Sequence, residues 1–344
     1  MHPNKTFGLF FILHTTMKKL LFAFFLASFF LVSQAQSLTF NKDGKFKIVQ
    51  FTDVHYIADD SRSAIALECI GKVIDAEHPD LVIFTGDVIY GKPAKKSMMQ
   101  VVEEVSKRKC PFAVTFGNHD DEFGVSRKEL LDLLKDVPYN LTTTTEGIAG
   151  VTNYILPVYG SKENKVSELL YIFDSHSYSK IEGIGGYGFI EFDQIAWYRE
   201  QSRQFTSANN NVPVNALAFF HIPLPEYNMA NTSEEAQIYG IRREKACSPQ
   251  LNSGLFAAIK QMGDVRAIFV GHDHNNDYAV MWQNVLLAYG RYTGGDTVYN
   301  DLTNGARVIE LTEGTKTFKT YIRNVHDQIE QEVVYPDSYV KRKR

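Results

Sequence analysis

Cysteine is scarce in this sequence, which has three, and tryptophan occurs only twice. Three cysteines allow at most one disulfide, so the chain does not belong to the disulfide-rich class of small exported domains. Cys69 falls in a predicted helix and Cys110 precedes a predicted strand, and we expect both to be small core side chains. A net charge of −4 over 344 residues also lacks the basic excess of nucleic-acid-binding proteins. Nucleic acid is therefore not an expected partner.

Long apolar runs are also lacking, apart from one near the N-terminus. A pair of lysines precedes an apolar run of 13 residues, Leu20 to Val32, and small residues follow it at 33–35. These features are typical of a cleavable signal peptide, and the run is too short to span a bilayer comfortably. We therefore predict that residues 1–35 form a signal peptide, with Met17 as an alternative start. The mature protein would be periplasmic or secreted, with no stable membrane span.

Hydrophobic periodicity predicts alternating strands and helices in the first half of the chain. Three strand-like runs alternate with three helical patterns, at 47–51, 61–77, 81–85, 95–107, 112–116 and 126–135. Such alternation indicates parallel β-α-β units. After residue 153 the pattern is richer in strands, which favours an α/β fold with two facing mixed sheets flanked by helices. We place this domain at 36–330 and a basic C-terminal tail at 331–344, with a disordered end at 341–344.

Five short segments carry side chains that ligate metals, and each follows a strand-like apolar run. In chain order they are Asp53-Val-His55, Gly86-Asp87, Gly117-Asn118-His119-Asp120, His221 and Gly271-His272-Asp273-His274. The carboxyl ends of strands in open α/β sheets are where sites are built, so the five segments are expected to converge. Imidazole and carboxylate ligands suit iron, manganese or zinc better than calcium. The glycines would let the backbone approach the ions closely.

Each segment alone is weak evidence for a metal. Asp-x-His is common in solvated loops, Gly-Asp after a strand is often only a turn, and a single histidine is often a satisfied core residue. The conjunction in this order indicates a two-metal site. Two ions about 3.5–4 Å apart need a shared ligand, and the Asp87 carboxylate is the candidate for it.

The order D-x-H, G-D, G-N-H-D, H, G-H-x-H resembles that of the calcineurin-like metallophosphoesterases, over roughly residues 47–277. Stretches such as FTDVHY, TGDVIYG, FGNHDDE and YGRYTGG are similar to the purple-acid-phosphatase-like branch. The resemblance implies a four-layer αββα sandwich. It places around the first ion Asp53, His55, Asp87 and His274, and around the second Asp87, Asn118, His221 and His272. It also implies a catalytic role for His119, which would stabilise the phosphoryl charge or protonate the leaving oxygen.

By this resemblance the chain is an exported enzyme that hydrolyses phosphomonoesters by in-line attack of a metal-bound hydroxide. Its cofactors would be two metal ions per chain, of iron, manganese or zinc, and its partner a small phosphorylated substrate. The same ligands would serve a phosphodiesterase acting on nucleotides, lipid head groups or envelope polymers. A third interpretation, a non-catalytic protein that binds phosphorylated polymers, would not require a bridging Asp87 or a proton donor at His119. The sequence leaves the natural substrate and the oligomeric state open.

Tyr90 marks a departure from the true purple acid phosphatases. It lies three residues after Asp87, where those enzymes have a tyrosine that binds ferric iron, but His55 stands where they carry glycine. Since the first ion needs only one of the two, we expect His55 to be the ligand and Tyr90 to pack or hydrogen-bond nearby.

Two further features are candidates for substrate contacts. Arg291, in YGRYTGG, could bind phosphate with two parallel hydrogen bonds. The segment 223–250 lacks clean periodicity, so it is predicted to form a loop or lid over the metals, with Glu226, Tyr227 and Arg242 as candidate contacts. A solvated connection explains the segment equally well.

Overall fold

The computed structural model describes residues 37–340. These residues form six α-helices, which are α1 (Ala64–Glu77), α2 (Ala94–Ser106), α3 (Arg127–Leu134), α4 (Phe192–Ala208), α5 (Glu226–Thr232) and α6 (Leu255–Met262). None of the helices in this range is long and apolar enough to cross a membrane. The predicted signal peptide and the last four residues lie outside the described range.

The strands of the described chain form two sheets. They are β1 (Leu38–Thr39), β2 (Lys45–Phe51), β3 (Leu81–Thr85), β4 (Phe112–Thr115), β5 (Tyr154–Tyr159), β6 (Val166–Ile172), β7 (Ala216–Phe219), β8 (Ile238–Tyr239), β9 (Val265–Val270), β10 (Ala279–Trp282), β11 (Val285–Tyr289), β12 (Gly305–Thr312), β13 (Phe318–Asn324) and β14 (Ile329–Tyr335). One sheet has six strands in the order β14-β13-β12-β2-β3-β4. The other has eight, in the order β1-β5-β6-β7-β9-β11-β10-β8.

Both sheets are mixed: the parallel strands form one side of the six-stranded sheet and the centre of the eight-stranded sheet. Strands β2, β3 and β4 are parallel to one another, as are β6, β7, β9 and β11. Parallel strands need long crossover connections, and the predicted helices supply them in the first half of the chain. The prediction of parallel β-α-β units is thus confirmed.

The side chains of β3 show how the layers are stacked. Successive residues of a strand point to opposite faces. Val82 and Phe84 pack in a cluster with residues of α1, α2 and α3, whereas Leu81 and Ile83 pack against residues of the eight-stranded sheet. The other face of that sheet packs on α4, α5 and α6. Helices therefore cover both outer faces, as expected for the four-layer αββα sandwich.

The cysteines have the predicted role. Cys69 and Cys110 are buried free thiols, and Cys247 is an exposed one. Cys69 belongs to the cluster between α1 and the six-stranded sheet. The fold does not depend on a disulfide within the described chain.

The domain extends past the predicted boundary at residue 330. β14 covers Ile329–Tyr335, pairs antiparallel with β13, and precedes a short 3-10 turn at Asp337–Tyr339. Val333 is fully buried, and the Glu330 carboxylate accepts a hydrogen bond from Arg291. The segment IEQEVVY has a charged outer face because it is an edge strand, which obscures its apolar pattern. The basic tail predicted at 331–344 was therefore drawn about ten residues too long.

The segment 223–250 also has more structure than a solvated loop. It contains α5 and the short strand β8, which pairs with β10 at the edge of the eight-stranded sheet. Tyr227 is fully buried, and its hydroxyl donates to the carbonyls of Ile268 and Ala288. This part of the segment therefore belongs to the core.

Candidate metal centre

The five predicted segments lie at the carboxyl ends of five strands. Asp53 and His55 follow β2, Asp87 follows β3, and Asn118 follows β4, all in the six-stranded sheet. The remaining ligands come from the eight-stranded sheet, after β7 and β9, and are His221, His272 and His274. The candidate metal centre is therefore built from both sheets at one edge of the sandwich.

The first group consists of Asp53, His55 and His274, all buried. The Nε2 atoms of His55 and His274 lie 3.0 Å apart. The Nε2 atom of His55 lies 3.9 Å from Asp53 Oδ1, and that of His274 lies 3.7 Å from it. Ligand bonds of about 2.0–2.2 Å to a shared ion place donor atoms about 3–3.5 Å apart, so this group needs only a small contraction to hold one.

The second group consists of Asp87, His221 and His272, also buried. His221 Nε2 lies 3.1 Å from Asp87 Oδ2 and 3.3 Å from His272 Nδ1. The same carboxylate oxygen of Asp87 lies 3.7 Å from His55 Nε2, which belongs to the first group. Asp87 thus stands between the two groups, as a bridging ligand must.

Backbone carbonyls set the tautomers of two of the histidines. The Nδ1 atom of His221 lies 2.8 Å from the Thr85 carbonyl oxygen, and that of His274 lies 2.9 Å from the Tyr299 carbonyl oxygen. A carbonyl only accepts, so each Nδ1 carries the proton and donates it. In the neutral form of each ring the lone pair is then on Nε2, the atom that points into the site.

Burial and mutual charge control protonation in the metal-free site. Burial lowers the pKa of His55 and of His272 well below the usual value, so both imidazoles are neutral and can ligate. For His221, burial acts against protonation, but the neighbouring Asp87 raises the pKa to about 9. Burial likewise disfavours charge on Asp87, but His221 and His55 hold its pKa well below the usual value. An ion must therefore displace the proton that His221 holds against Asp87.

Several polar atoms of the site have no hydrogen-bond partner in the described structure. They are His55 Nδ1, Asn118 Oδ1 and His272 Nε2, and all three are buried. Only Asn118 Oδ1 among them is a candidate ligand atom, because His55 and His272 face their groups with Nε2 and Nδ1. Leaving a buried polar atom unsatisfied costs about 1–3 kcal/mol, so an unpaired amide oxygen here is uncommon without a ligand. The Asn118 amide oxygen is free to ligate, as the resemblance implied. The donor set fits iron, manganese or zinc.

The backbone at the ligands is strained. The φ angle is positive at four of them: 51° at Asp53, 44° at His55, 49° at Asp87 and 82° at His272. Side chains other than glycine rarely adopt this region, at a cost of order 1–3 kcal/mol each. Turning the chain sharply at the strand end brings these side chains together, so the strain is part of the site.

Two glycines allow the ligand loops to approach each other. A Cβ on Gly86 would lie 2.6 Å from His221 Nδ1 and 2.7 Å from the backbone nitrogen of Gly117. A Cβ on Gly117 would overlap the Asp87 carboxylate. Alanine at either position would displace a ligand, while the predicted approach of these glycines to the ions stays a prediction.

Asp120 links two of the loops, a role that the sequence motif did not reveal. Its carboxylate accepts hydrogen bonds from the backbone N–H groups of Val88, Ile89 and Gly117, at 2.8, 3.1 and 2.7 Å. Burial, and then the charge of Asp87, raises its pKa to about 7 against these hydrogen bonds. Asp120 therefore fixes the loop after β3 to the loop after β4.

His119 faces the site without belonging to either group. Its backbone N–H donates to Asp87 Oδ1 at 2.8 Å, and its ring centre lies 5.5 Å from that of His55. Its side chain is 25% exposed, so a substrate can reach it. The Nδ1 atom lies 2.6 Å from Glu122 Oε2, a partner that sequence reasoning missed although it is only three residues away. This carboxylate holds the ring with Nε2 free.

Tyr90 packs on the predicted ligand instead of replacing it. Its ring makes edge contacts with His55 and His119, with centres 5.1 Å and 4.9 Å apart. This is the packing position expected from the sequence. Whether His55 alone serves the first ion stays a prediction.

We expect the Tyr90→Phe variant to retain its metal and most of its activity, because the ring contacts survive the loss of the hydroxyl. Iron-loaded wild type should be colourless or weakly yellow, since a buried phenolate beside a filled ligand position would need another charge to balance it. The His55→Ala variant should lose metal affinity by more than the roughly 10–100-fold typical of outer-shell changes. Visible absorption and metal analysis test this. A purple iron-loaded protein that bleaches in Tyr90→Phe would contradict the assignment.

Arg291 does not have the position predicted for a phosphate ligand. It is 1% exposed, and its guanidinium bonds to Asp277, Glu330 and the Thr303 carbonyl. Its donor groups thus point at protein acceptors, in a network that ties β14 to the strand ends. The sequence could not show this, because the partners come from segments that are far apart in the chain.

The candidate contacts from 223–250 differ in position. Tyr227 lies in the core. Glu226 is also buried and accepts a hydrogen bond from Asn252. Arg242 is exposed and forms an isolated backbone bridge with Asn276, two residues after His274. Neither Glu226 nor Tyr227 is placed as a lid residue.

The sequence matches the family described as calcineurin-like phosphoesterase over residues 46–276, and the chain belongs to that family. It is 31% identical over 293 residues to "Probable inactive purple acid phosphatase 29" of Arabidopsis thaliana, covering 75% of this chain and 74% of that protein. It is 32% identical over 297 residues to the phosphatase DCR2 of Saccharomyces cerevisiae, covering 74% of this chain and 49% of the yeast protein. The resemblance stated from the motifs is thus confirmed.

Solved structures confirm the fold. A dimetal phosphatase from Danio rerio superposes with a TM-score of 0.59 at 12% identity, over 84% of this chain and 98% of that chain. The purple acid phosphatase PPD1 from yellow lupin gives a TM-score of 0.53 at 12% identity, over 87% of this chain and 56% of that chain. At these identities the likeness concerns the fold alone.

Proposed function

We propose that this chain is an exported two-metal phosphoesterase that hydrolyses phosphomonoesters. The observation that carries the proposal is the pair of buried ligand groups with Asp87 between them. One ion would be held by Asp53, His55, Asp87 and His274, and the other by Asp87, Asn118, His221 and His272. Bound ions would supply Lewis-acid polarisation of the phosphoryl group and a nucleophile at neutral pH.

The residues around the groups supply the remaining requirements of ester hydrolysis. His119 supports the proposal. Its ring lies beside that of His55, and Glu122 occupies Nδ1, which leaves Nε2 available to a substrate. His119 would stabilise charge on the phosphoryl oxygens or deliver a proton to the leaving oxygen. Glu122, hydrogen-bonded to the other ring nitrogen, orients it.

The word "inactive" in the name of the Arabidopsis relative describes that protein and not this chain. In this chain every predicted ligand position is filled by a side chain that can ligate, and Asn118 and His119 are both present. A protein that only binds phosphorylated polymers would not require a shared carboxylate between two ligand groups. These observations favour turnover over binding alone.

Export is proposed from the N-terminal pattern. The lysine pair, the short apolar run and the small residues at 33–35 support a cleavable signal peptide. N-terminal sequencing of the protein recovered outside the cytoplasm should begin near Gln36. Recovery of the uncleaved chain in the cytoplasm would contradict export but not the chemistry.

Metal analysis and a pair of chromogenic esters test the chemistry. Purified mature protein should hold about two ions per chain after reconstitution, the number that a two-metal hydrolase requires. It should hydrolyse p-nitrophenyl phosphate in preference to bis(p-nitrophenyl) phosphate, and chelation should abolish both reactions. Fewer than one tightly bound ion would overturn the two-metal proposal. Preference for the diester would identify a phosphodiesterase instead.

A further inference from the structure

A cleft of about 620 Å³ opens beside the second ligand group, and Asn118 forms part of its wall. Most of the remaining lining comes from the connection between β6 and α4, including His176, Tyr178, Ile181 and Phe189. A volume of this size is in the range of small-molecule sites. The leaving group of a phosphoester bound at the metal centre has room in this cleft.

A short hairpin in this connection presents two tyrosines on one face. Tyr178 and Tyr187 form an antiparallel bridge, flanked by hydrogen bonds from Ser179 N to Gly186 O (2.9 Å) and from Gly188 N to Ser177 O (3.0 Å). This pattern makes the tyrosines a non-hydrogen-bonded pair, in which the side chains are closest. Their rings are nearly parallel, at 24° with centres 5.8 Å apart.

The tyrosine pair is connected directly to the metal centre. The Tyr187 ring meets His272 edge to face, with centres 4.3 Å apart. The Tyr178 hydroxyl donates to Glu122 Oε1 at 2.8 Å, which orients the ring towards the His119 loop. The pair therefore extends outwards from a ligand of the second group.

Two exposed side chains with large apolar surfaces, Tyr178 and Ile181, line the cleft although it lies beside a polar site. Tyr178 is 45% exposed and Ile181 is 46% exposed. Tyrosines held in place by backbone pairing and a hydroxyl hydrogen bond have little side-chain freedom left to lose on binding. A planar aromatic group is the ligand that such a ring face accepts best.

From these contacts we propose that Tyr178, held in place by its pairing with Tyr187, determines specificity for phosphoesters whose leaving alcohol carries a planar aromatic group, either an aryl ring or a nucleobase. The inference rests on the proposed function, because it assigns the substrate class of the same site. The phosphoryl group would lie at the metal ligands, and the aromatic group would stack on the Tyr178 ring.

The test compares two pairs of esters on three forms of the metal-loaded protein. Benzyl phosphate is paired with cyclohexylmethyl phosphate, which has a ring of the same carbon number, and adenosine 5′-monophosphate with ribose 5-phosphate. The forms are wild type, Tyr178→Ala and Tyr178→Phe. The quantity measured is the ratio of kcat/KM within each pair, so that general effects on chemistry cancel.

Wild type should prefer the aromatic member of at least one pair. Tyr178→Ala should reduce that preference about tenfold, the effect expected for loss of one stacked ring. Tyr178→Phe should keep the preference, because it keeps the ring and loses only the hydroxyl, which donates to Glu122 and accepts a 3.5 Å hydrogen bond from Asn118 Nδ2. The pair that responds identifies the aryl or the nucleobase source.

Three results would overturn the inference. They are no aromatic preference in wild type, an unchanged preference in Tyr178→Ala, and equal losses in Tyr178→Ala and Tyr178→Phe. Absence of turnover of every ester would instead contradict the proposed function. In that event, the calorimetric affinities of benzylphosphonate and cyclohexylmethylphosphonate for the three forms test the inference by the same criterion.

Discussion

Replacing Asp87 with asparagine is expected to reduce bound metal from two ions per chain to one or fewer and to lower turnover by about three orders of magnitude or more. One oxygen of Asp87 faces histidines of both ligand groups, so the variant affects both ions at once. Polarisation by a bound ion is worth several kcal/mol of transition-state stabilisation, and every 1.36 kcal/mol is tenfold in rate. Elemental analysis and kcat measured on the same preparation test the prediction.

The matched control for this variant is Asp264→Asn. Asp264 is also buried, but it lies at the opposite end of β9 from the metal centre and accepts hydrogen bonds from Tyr171 and Tyr198. Its replacement should leave the metal content at two ions. Loss of metal in the control as well would show that unfolding, rather than ligand removal, explains the Asp87 result. Two tightly bound ions in Asp87→Asn would contradict the bridging role.

The second large effect is expected for His119→Ala. This variant should keep both ions, because the backbone N–H that donates to Asp87 is unchanged and the side chain is not a predicted ligand. Turnover should fall about 10²–10⁴-fold if the ring delivers a proton in the transition state. The loss should shrink for esters whose leaving alcohol is already acidic, such as p-nitrophenol.

The leaving-group series separates the two roles open to His119. A loss that is equal for acidic and poorly acidic leaving alcohols would exclude proton delivery and leave charge stabilisation. Loss of metal in the variant would contradict both and make His119 part of the ligand set. Glu122→Gln is the companion variant, since it keeps the side chain's size but removes the negative charge that holds the ring.

The convergence of the candidate ligands could be predicted from the sequence because these residues obey a local rule. Each follows a buried strand, and strands such as Leu81–Thr85 are visible as short apolar runs bounded by turn residues. The neighbouring glycines could be assigned a role for the same reason. The order of the segments then identified the family without any knowledge of how the sheets pack.

Features that depend on distant pairing could not be predicted in this way. Arg291 was expected to bind phosphate, because its partners Asp277 and Glu330 carry no local signal of their position. β14 was missed since an edge strand keeps polar residues on its outer face. The hairpin with Tyr178 and Tyr187 lies in an irregular connection, where periodicity gives no information.

The origin of the ligands in two different sheets makes the bound ions cross-links between the layers of the sandwich. Asp53, Asp87 and Asn118 are held by one sheet, and the histidines at 221, 272 and 274 by the other. Sliding of one sheet over the other would separate donors that must share an ion. Any ion that binds only the native arrangement adds RT ln(1 + [M]/Kd) to the free energy of unfolding. If the centre binds metal as proposed, the rigidity of the fold would depend on the supply of metal, and a shortage would lower both stability and catalysis.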